Sequence, residues 1–123
     1  MIGINDLAEG TPDSVIITNY ESILTNIQTA SPQTKVYVQS ILPTNADFTE
    51  FSRHQHKDAH IQNLNAALQK LCAGKGLSYI DLYTRFVNSE GKLNRKYTND
   101  GLHINGYGYM LWKQIIEEKG YLK

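Results

Sequence analysis

The sequence predicts an α/β fold, a three-layer α/β/α sandwich in which a parallel sheet lies between helices. Segments with strand-like composition alternate strictly with segments of helical periodicity. Such alternation implies parallel strands joined by right-handed crossovers, which place helices on both faces of the sheet. A length of 123 residues with 41% hydrophobic content fits one domain over residues 1–123.

The first predicted strand is the apolar segment of residues 1–4. It ends at Asn5 and Asp6, a pair typical of turns, and resembles the last residues of a buried strand. Because this strand is so short, we expect it to be the end of a longer one, with the N-terminal strands of the sheet missing.

Capping residues and β-branched composition predict the next two elements. Thr11 is expected to cap a helix over residues 12–28 that has Pro12 at its first position. Residues 35–42 are rich in β-branched and aromatic side chains and stop at Pro43, which predicts a strand.

The second half of the chain repeats this order. After a loop at residues 44–57, a helix with one apolar face is expected to end at Gly74, and a strand follows at residues 77–82. A turn-rich segment then leads to a last helix that Asn105 can cap and that stops at Gly120. The apolar face of the middle helix is formed by Ile61, Leu64, Leu68, Leu71 and Cys72.

Composition narrows the function classes. Twelve basic and twelve acidic residues cancel, so no global charge favours binding to nucleic acid or to an anionic membrane, and a neutral small molecule or glycan fits better. Cys72 is the only cysteine, which excludes an intramolecular disulfide and a thiolate metal site, and its place on the apolar face predicts core packing. We expect no metal and no cofactor.

Two polar clusters follow predicted strands, where sites form in open parallel sheets. Asn5 could aim its amide hydrogens at a developing oxyanion, although on spacing alone an ordinary strand-ending turn is the more common explanation. Asp100 precedes His103 by three residues in a turn, so its carboxylate could orient the ring as in a nucleophilic triad, or simply bond backbone amides. A third cluster of His54, His56 and His60 has only Asp58 at ligand spacing, which favours a solvated loop over a metal site.

Together these clusters carry a family resemblance. Residues 3–6, Gly-Ile-Asn-Asp, resemble the G-x-N-D block of SGNH/GDSL-type ester hydrolases, and residues 100–103, Asp-Gly-Leu-His, resemble their D-x-x-H block. The surroundings, residues 1–7 and 37–43, look most like bacterial carbohydrate O-acetylesterases and platelet-activating-factor acetylhydrolase-like proteins. The chain therefore resembles the C-terminal part of an SGNH hydrolase domain.

The resemblance implies roles for four residues. His103 would be the general base, Asp100 the residue that orients it, Asn5 an oxyanion-hole donor, and Gly3 a support that allows close packing beside the cleft. The family's nucleophile lies in a G-D-S block ahead of the Asn5 block, and no serine of this chain stands in that context. We therefore expect this chain alone to be inactive and an upstream coding sequence to supply the serine.

Three functional hypotheses follow. The first is a fragment of a serine esterase that removes small acyl groups, in particular acetyl groups, from a carbohydrate. The second is a non-catalytic module that keeps the fold for binding or assembly. A flavodoxin-like or receiver domain, the third, lacks the phosphate loop and the acidic cluster. With its pairing strands missing, the N-terminal strand would become an edge, so we also expect self-association through that strand.

Overall fold

A parallel two-stranded sheet lies at the centre of the computed structural model, which describes residues 1–121. Strands β1 (Tyr37–Gln39) and β2 (Ser78–Ile80) pair with Val38 opposite Tyr79. Both fall within the segments predicted as strands, and both are shorter than predicted. The helices are α1 (Ile4–Ala8), α2 (Asp13–Ala30), α3 (Asp58–Lys75), α4 (Tyr83–Phe86) and α5 (Gly106–Glu118), with short 3-10 turns at Ser52–His54 and Arg95–Tyr97.

Helices cover both faces of this sheet. Val38 packs in a cluster with α2 and α3. The side chain of its neighbour Gln39 accepts a 2.5 Å hydrogen bond from Trp112 of α5. Successive side chains of a strand point to opposite faces, so α2 and α3 lie on one side and α5 on the other. The predicted three-layer α/β/α sandwich is confirmed.

Each face has its own apolar core. The cluster under α2 and α3 is formed by Leu7, Ile16, Tyr20, Leu24, Val38, Ile41, Ile61, Leu64, Leu68 and Cys72. The cluster under α5 is formed by Leu42, Ile80, Leu82, Phe86, Leu93, Leu111 and Ile115. The expected core position of Cys72 is confirmed, because Cys72 is only 1% exposed.

Two buried polar side chains complete the backbone hydrogen bonds at the carboxyl end of the sheet. Asn65 of α3 accepts from the amide of Ile41 at 2.8 Å and donates to the carbonyl of Ile41 at 2.9 Å. The hydroxyl of Ser40 accepts from the amides of Leu82 and Tyr83, each at 2.9 Å. A buried backbone group without a partner is costly, so these side chains allow the strands to end beneath the functional loops.

The prediction of an N-terminal strand at residues 1–4 is wrong. Residues 1–3 have no regular structure, and α1 begins at Ile4. The physical reason is that Tyr20 takes the place of a neighbouring strand: its hydroxyl accepts from the Ile2 amide at 3.2 Å and donates to the Ile2 carbonyl at 2.6 Å. Gly3, with φ of 122°, then turns the chain into the helix.

Of three predicted helix ends, the structure confirms one. Thr11 does not cap α2; Pro12 occupies the N-cap position and α2 starts at Asp13. The middle helix passes Gly74 and ends at Lys75, because Gly76, with φ of 67°, is the residue that adopts the left-handed conformation there. The cap on α5 is confirmed, since Asn105 Oδ1 accepts from the amide of Gly108 at 3.1 Å. None of the helices within residues 1–121 is long and apolar enough to cross a membrane.

Self-association stays a prediction, now based on apolar side chains rather than strand pairing. Met1 and Ile2 are 44% and 53% exposed. Burying them would remove apolar area from water. We expect Ile2→Asp to shift the chain from dimers or larger assemblies toward monomers in sedimentation velocity at micromolar concentration. Val15→Asp, at a position 44% exposed on α2, is the matched control and should leave the distribution unchanged. A monomeric parent chain would contradict the prediction.

Candidate active site

The turn at Asp100 holds the ring of His103. Asp100 Oδ1 accepts hydrogen bonds from the amides of Leu102 at 2.9 Å and His103 at 2.8 Å, while Oδ2 lies 2.7 Å from His103 Nδ1. A carboxylate oxygen can only accept, so Nδ1 carries the hydrogen and Nε2 keeps its lone pair. The side chain of His103 is 65% exposed, so this ring is open to a ligand.

Opposing effects act on the pKa of the Asp100 carboxyl. Partial burial raises it, but the hydrogen bonds from the His103 side chain and from the amides of Leu102 and His103 outweigh burial and hold this pKa below its usual value. Asp100 is therefore ionised at neutral pH. Because this pKa is depressed in the folded state, its contribution to stability is present above the ordinary carboxyl pKa of about 3.9 and is lost as pH falls through the folded-state value.

Gly101 fixes this turn against the loop that follows β1. Its carbonyl accepts from the Asn45 amide at 2.9 Å and from Gln55 Nε2 at 3.3 Å. Its φ of 83° favours glycine, and a Cβ atom there would lie 2.4 Å from the Asn45 carbonyl oxygen. Thr98 adds a further restraint, since its hydroxyl donates to the carbonyl of His103 at 2.6 Å.

Gly3 and Asn5 lie at the start of α1. A Cβ atom on Gly3 would stand 2.9 Å from Cδ1 of Ile41, and the φ of 122° is one that other residues rarely adopt, so both the backbone and the packing at the start of α1 favour glycine. Asn5 follows in the first turn of α1 and is exposed. Its Oδ1 lies 2.9 Å from Nε2 of His54.

A row of rings connects Asn5 to His103. The Phe51 ring packs edge-on against His54 with centroids 5.9 Å apart, and against His103 with centroids 4.9 Å apart. The structure therefore brings Asn5, Asp100 and His103 to one end of the sheet, with Phe51 and His54 between them.

The segment that carries Phe51, His54 and Gln55 was missed by the sequence reasoning. The solvated-loop interpretation is wrong for His54, which is partly buried and bonds Asn5. His60 is exposed, as that interpretation expects, but it lies on α3 rather than in a loop, and its Nδ1 is 2.9 Å from an Asp13 carboxylate oxygen. The mixture of aromatic and histidine residues at 51–56 was the one sequence feature that could have indicated a functional segment. It does not indicate which residues these side chains contact.

An apolar cavity of about 90 Å³ opens beside this row. It includes Ile4, the neighbour of Asn5, and Leu102, the neighbour of His103. The site thus combines an oriented imidazole, an amide and an apolar recess. The full lining is Met1, Ile2, Ile4, Ile41, Leu42, Pro43, Thr44 and Leu102.

Comparison with known proteins decides the family. Residues 1–111 match the GDSL-like Lipase/Acylhydrolase family. The chain belongs to this family. The match spans the Gly3 and Asn5 segment, both strands and the turn of Asp100 and His103.

Solved structures of similar proteins agree with this GDSL-like assignment. A protein from Streptococcus pneumonia, provisionally described as a platelet activating factor, has a TM-score of 0.88 at 26% identity over 97% of this chain and 56% of its own. A Bacteroides fragilis protein provisionally described as an acylhydrolase gives 0.80 at 27% identity, over 94% and 56%. A GDSL-like lipase from Bacteroides thetaiotaomicron gives 0.78 at 28% identity, over 95% and 58%.

Curated relatives share a smaller part of their length with this GDSL-like chain. N-acylneuraminate cytidylyltransferases of Streptococcus agalactiae are 29% identical over 103 residues, which is 84% of this chain and 23% of theirs. The chain thus spans about a quarter of these relatives and between half and three fifths of the three structures.

Proposed function

We propose that this chain carries the histidine–aspartate pair and one oxyanion donor of an ester hydrolase that removes small acyl groups, in particular acetyl groups, from a carbohydrate. The observation that carries the proposal is the 2.7 Å hydrogen bond from the exposed His103 ring to Asp100. In a member of an acylhydrolase family, this arrangement is suited to a general base.

The proposed chemistry follows from the tautomer. Asp100 holds the hydrogen on Nδ1 of His103, so Nε2 can accept a proton from a nucleophilic hydroxyl as that oxygen attacks the ester carbonyl. The Asn5 amide donates to the carbonyl oxygen as it becomes negative. His103 then returns the proton to the departing alcohol oxygen, and water repeats the sequence to release the acid from the acyl-enzyme.

The nucleophile is proposed to lie outside this chain. No serine of the sequence follows Gly-Asp as in a G-D-S block. Among the described residues, the polar partner of His103 Nδ1 is Asp100, and Ser40, the buried serine nearest the end of β1, is occupied by two backbone amides. A serine from a G-D-S block elsewhere would complete the triad.

The apolar cavity supports a small acyl group. Its volume of about 90 Å³ leaves room for a few carbon atoms and not for a long chain. Its lining includes Ile4 and Leu102, the chain neighbours of Asn5 and His103, and in this proposal an acyl group placed there has its carbonyl directed toward those two side chains. We therefore favour acetyl among the small acyl groups.

Two observations support a carbohydrate as the alcohol. The curated relatives are named for an enzyme that acts on N-acylneuraminate, a sugar acid. A shallow recess next to His103 in the chain is lined by Asn99, Asn105 and Tyr107, and the Tyr107 residue is 63% exposed. The side-chain amide of Asn105 is already bonded to Gly108, Lys96 and Asn99. The groups here that suit sugar hydroxyls and ring hydrogens are therefore the side-chain amide of Asn99 and the aromatic face of Tyr107.

This chain alone is expected to hydrolyse p-nitrophenyl acetate no faster than free imidazole at the same concentration. His103 and Asn5 can accept a proton and polarise a carbonyl, but no acyl acceptor accompanies them. The measurement is the initial rate against ester concentration. Saturable turnover that His103→Ala abolishes would contradict the expectation and would require another nucleophile in the chain.

A chimera tests the positive side of the proposal. The segment of the Streptococcus pneumonia protein that precedes its region of similarity to this chain would be joined ahead of Met1. We expect saturable hydrolysis of an acetylated sugar, and a loss of roughly 10³-fold or more on His103→Ala. A folded but inactive chimera would favour the non-catalytic binding or assembly module, for which the missing G-D-S block is the supporting observation.

A further inference from the structure

We propose that His54 is a positioning residue of this site: its Nε2–H donates to Asn5 Oδ1 and holds the side-chain amide of Asn5 in one orientation. The inference rests on the proposed function, which makes Asn5 an oxyanion donor. It concerns a contact of 2.9 Å between residues 49 positions apart in the sequence. An amide oriented in advance needs no rearrangement when a carbonyl oxygen becomes negative.

The direction of this hydrogen bond follows from the surroundings of the His54 ring. Asn5 Oδ1 can only accept, so Nε2 of His54 must carry the hydrogen. Nδ1 of His54 is buried and has no hydrogen-bond partner within residues 1–121. A hydrogen on Nδ1 would therefore be buried without an acceptor, which is the less favourable tautomer.

The neighbours of His54 also keep its ring neutral. Burial lowers the pKa of His54, and the positive charge of Arg53 and the imidazole of His103 lower it further. From α1 the ring meets the neutral amide of Asn5, and from its own segment the apolar ring of Phe51. The ring is therefore neutral at neutral pH and offers one hydrogen, on Nε2.

This hydrogen bond leaves the Asn5 amide nitrogen available. Oδ1 is engaged by His54, and among the described residues no acceptor is bonded to Nδ2. Asn5 is exposed, so without His54 its side chain would rotate freely in water. Phe51 contacts His54 and His103 alike, so the positioned amide and the proposed base share one end of the sheet.

The first measurement needs no variant. Long-range ¹H–¹⁵N spectra of the full chain report which ring nitrogen of His54 carries the hydrogen. We expect the Nε2–H tautomer between about pH 8 and about pH 6.5, the ordinary histidine pKa. The Nδ1–H tautomer would overturn the proposal, because it would mean that Asn5 donates to His54 and that its amide is turned the other way.

The second measurement compares variants by the order parameter of the Asn5 side-chain amide. His54→Phe keeps a ring beside Phe51 but removes the donor, and the order parameter should fall below about 0.6, the range of flexible groups. His54→Gln restores a donor and should retain most of the order. His56→Asn, at an exposed position with φ of 59°, is the control and should change nothing.

An unchanged Asn5 order parameter in a folded His54→Phe variant would overturn the proposal. If that variant does not fold, the tautomer of the unmodified chain still decides. The outcome is separable from the proposed function: an ordered Asn5 amide in a chimera without esterase activity would refute the esterase and leave the positioning role standing. Esterase activity in a chimera whose Asn5 amide is disordered would refute the positioning role and leave the esterase standing.

Discussion

Gly101→Ala is expected to destabilise the protein far more than Gly10→Ala, although both glycines have φ of 83°. The left-handed conformation costs an alanine about 1–2 kcal/mol at either position. Nothing lies within 4 Å of a Cβ atom at Gly10, whereas at Gly101 that atom would be 2.4 Å from the Asn45 carbonyl oxygen and 2.8 Å from Cβ of Phe48. Relieving this overlap should add a further ~1–3 kcal/mol.

Urea unfolding of the two variants measures the difference. Comparing the two variants isolates the cost of the steric overlap, because Gly10 and Gly101 have the same φ and differ only in their surroundings. Relief of the overlap must move the turn that joins Asp100 to His103, so the NMR signals of His103 should also shift in Gly101→Ala and not in Gly10→Ala. Equal unfolding midpoints would show that the loop at Asn45 yields and that it does not brace the site.

Phe86→Ala should be the most damaging of the core truncations under α5. Phe86 is 0% exposed and packs against the Tyr97 ring with centroids 5.3 Å apart. Removing a buried aromatic ring loses its transfer free energy and leaves a cavity, about 3–5 kcal/mol in total. The carbonyl of Tyr97 accepts a hydrogen bond from the Asn105 amide at 2.9 Å. The loss of stability should therefore spread to the segment that presents His103.

The matched control for Phe86→Ala is Tyr107→Ala, which removes an aromatic ring that is 63% exposed. We expect it to change the free energy of unfolding by about 0.5 kcal/mol. Chemical denaturation of both variants provides the comparison. A loss below about 1 kcal/mol for Phe86→Ala would mean that the cluster under α5 repacks, and that it is not a rigid support for the site.

The sequence predicted the three long helices, α2, α3 and α5, because their signals are local. Apolar residues at helical spacing lie on α2 and α3, and Asn105 caps α5 through its own side chain. The contact of Asp100 with His103 spans three residues and is equally local. Such features depend on neighbours within a few residues, which a single sequence displays.

The errors concern contacts between distant residues. Tyr20 bonds Ile2 across 18 positions, His54 bonds Asn5 across 49, and Gln55 bonds Gly101 across 46. No periodicity marks such pairs, so residues 1–4 resembled a strand and His54 resembled a solvated side chain. The loop predicted at residues 44–57 braces the turn of Asp100 and His103 through Asn45 and Gln55, which the sequence did not indicate.

The hydroxyl of Tyr20 competes with any partner strand for the backbone groups of Ile2. Any strand that paired with Ile2 would have to displace this hydroxyl, exchanging two existing hydrogen bonds for two new ones. The net gain in hydrogen bonding would be close to zero. A partner that binds residues 1–3 would therefore gain its binding energy from the apolar side chains it buries rather than from its backbone. Tyr20→Phe removes the competitor, and faster exchange of the Ile2 amide with deuterium would report that the edge has become available.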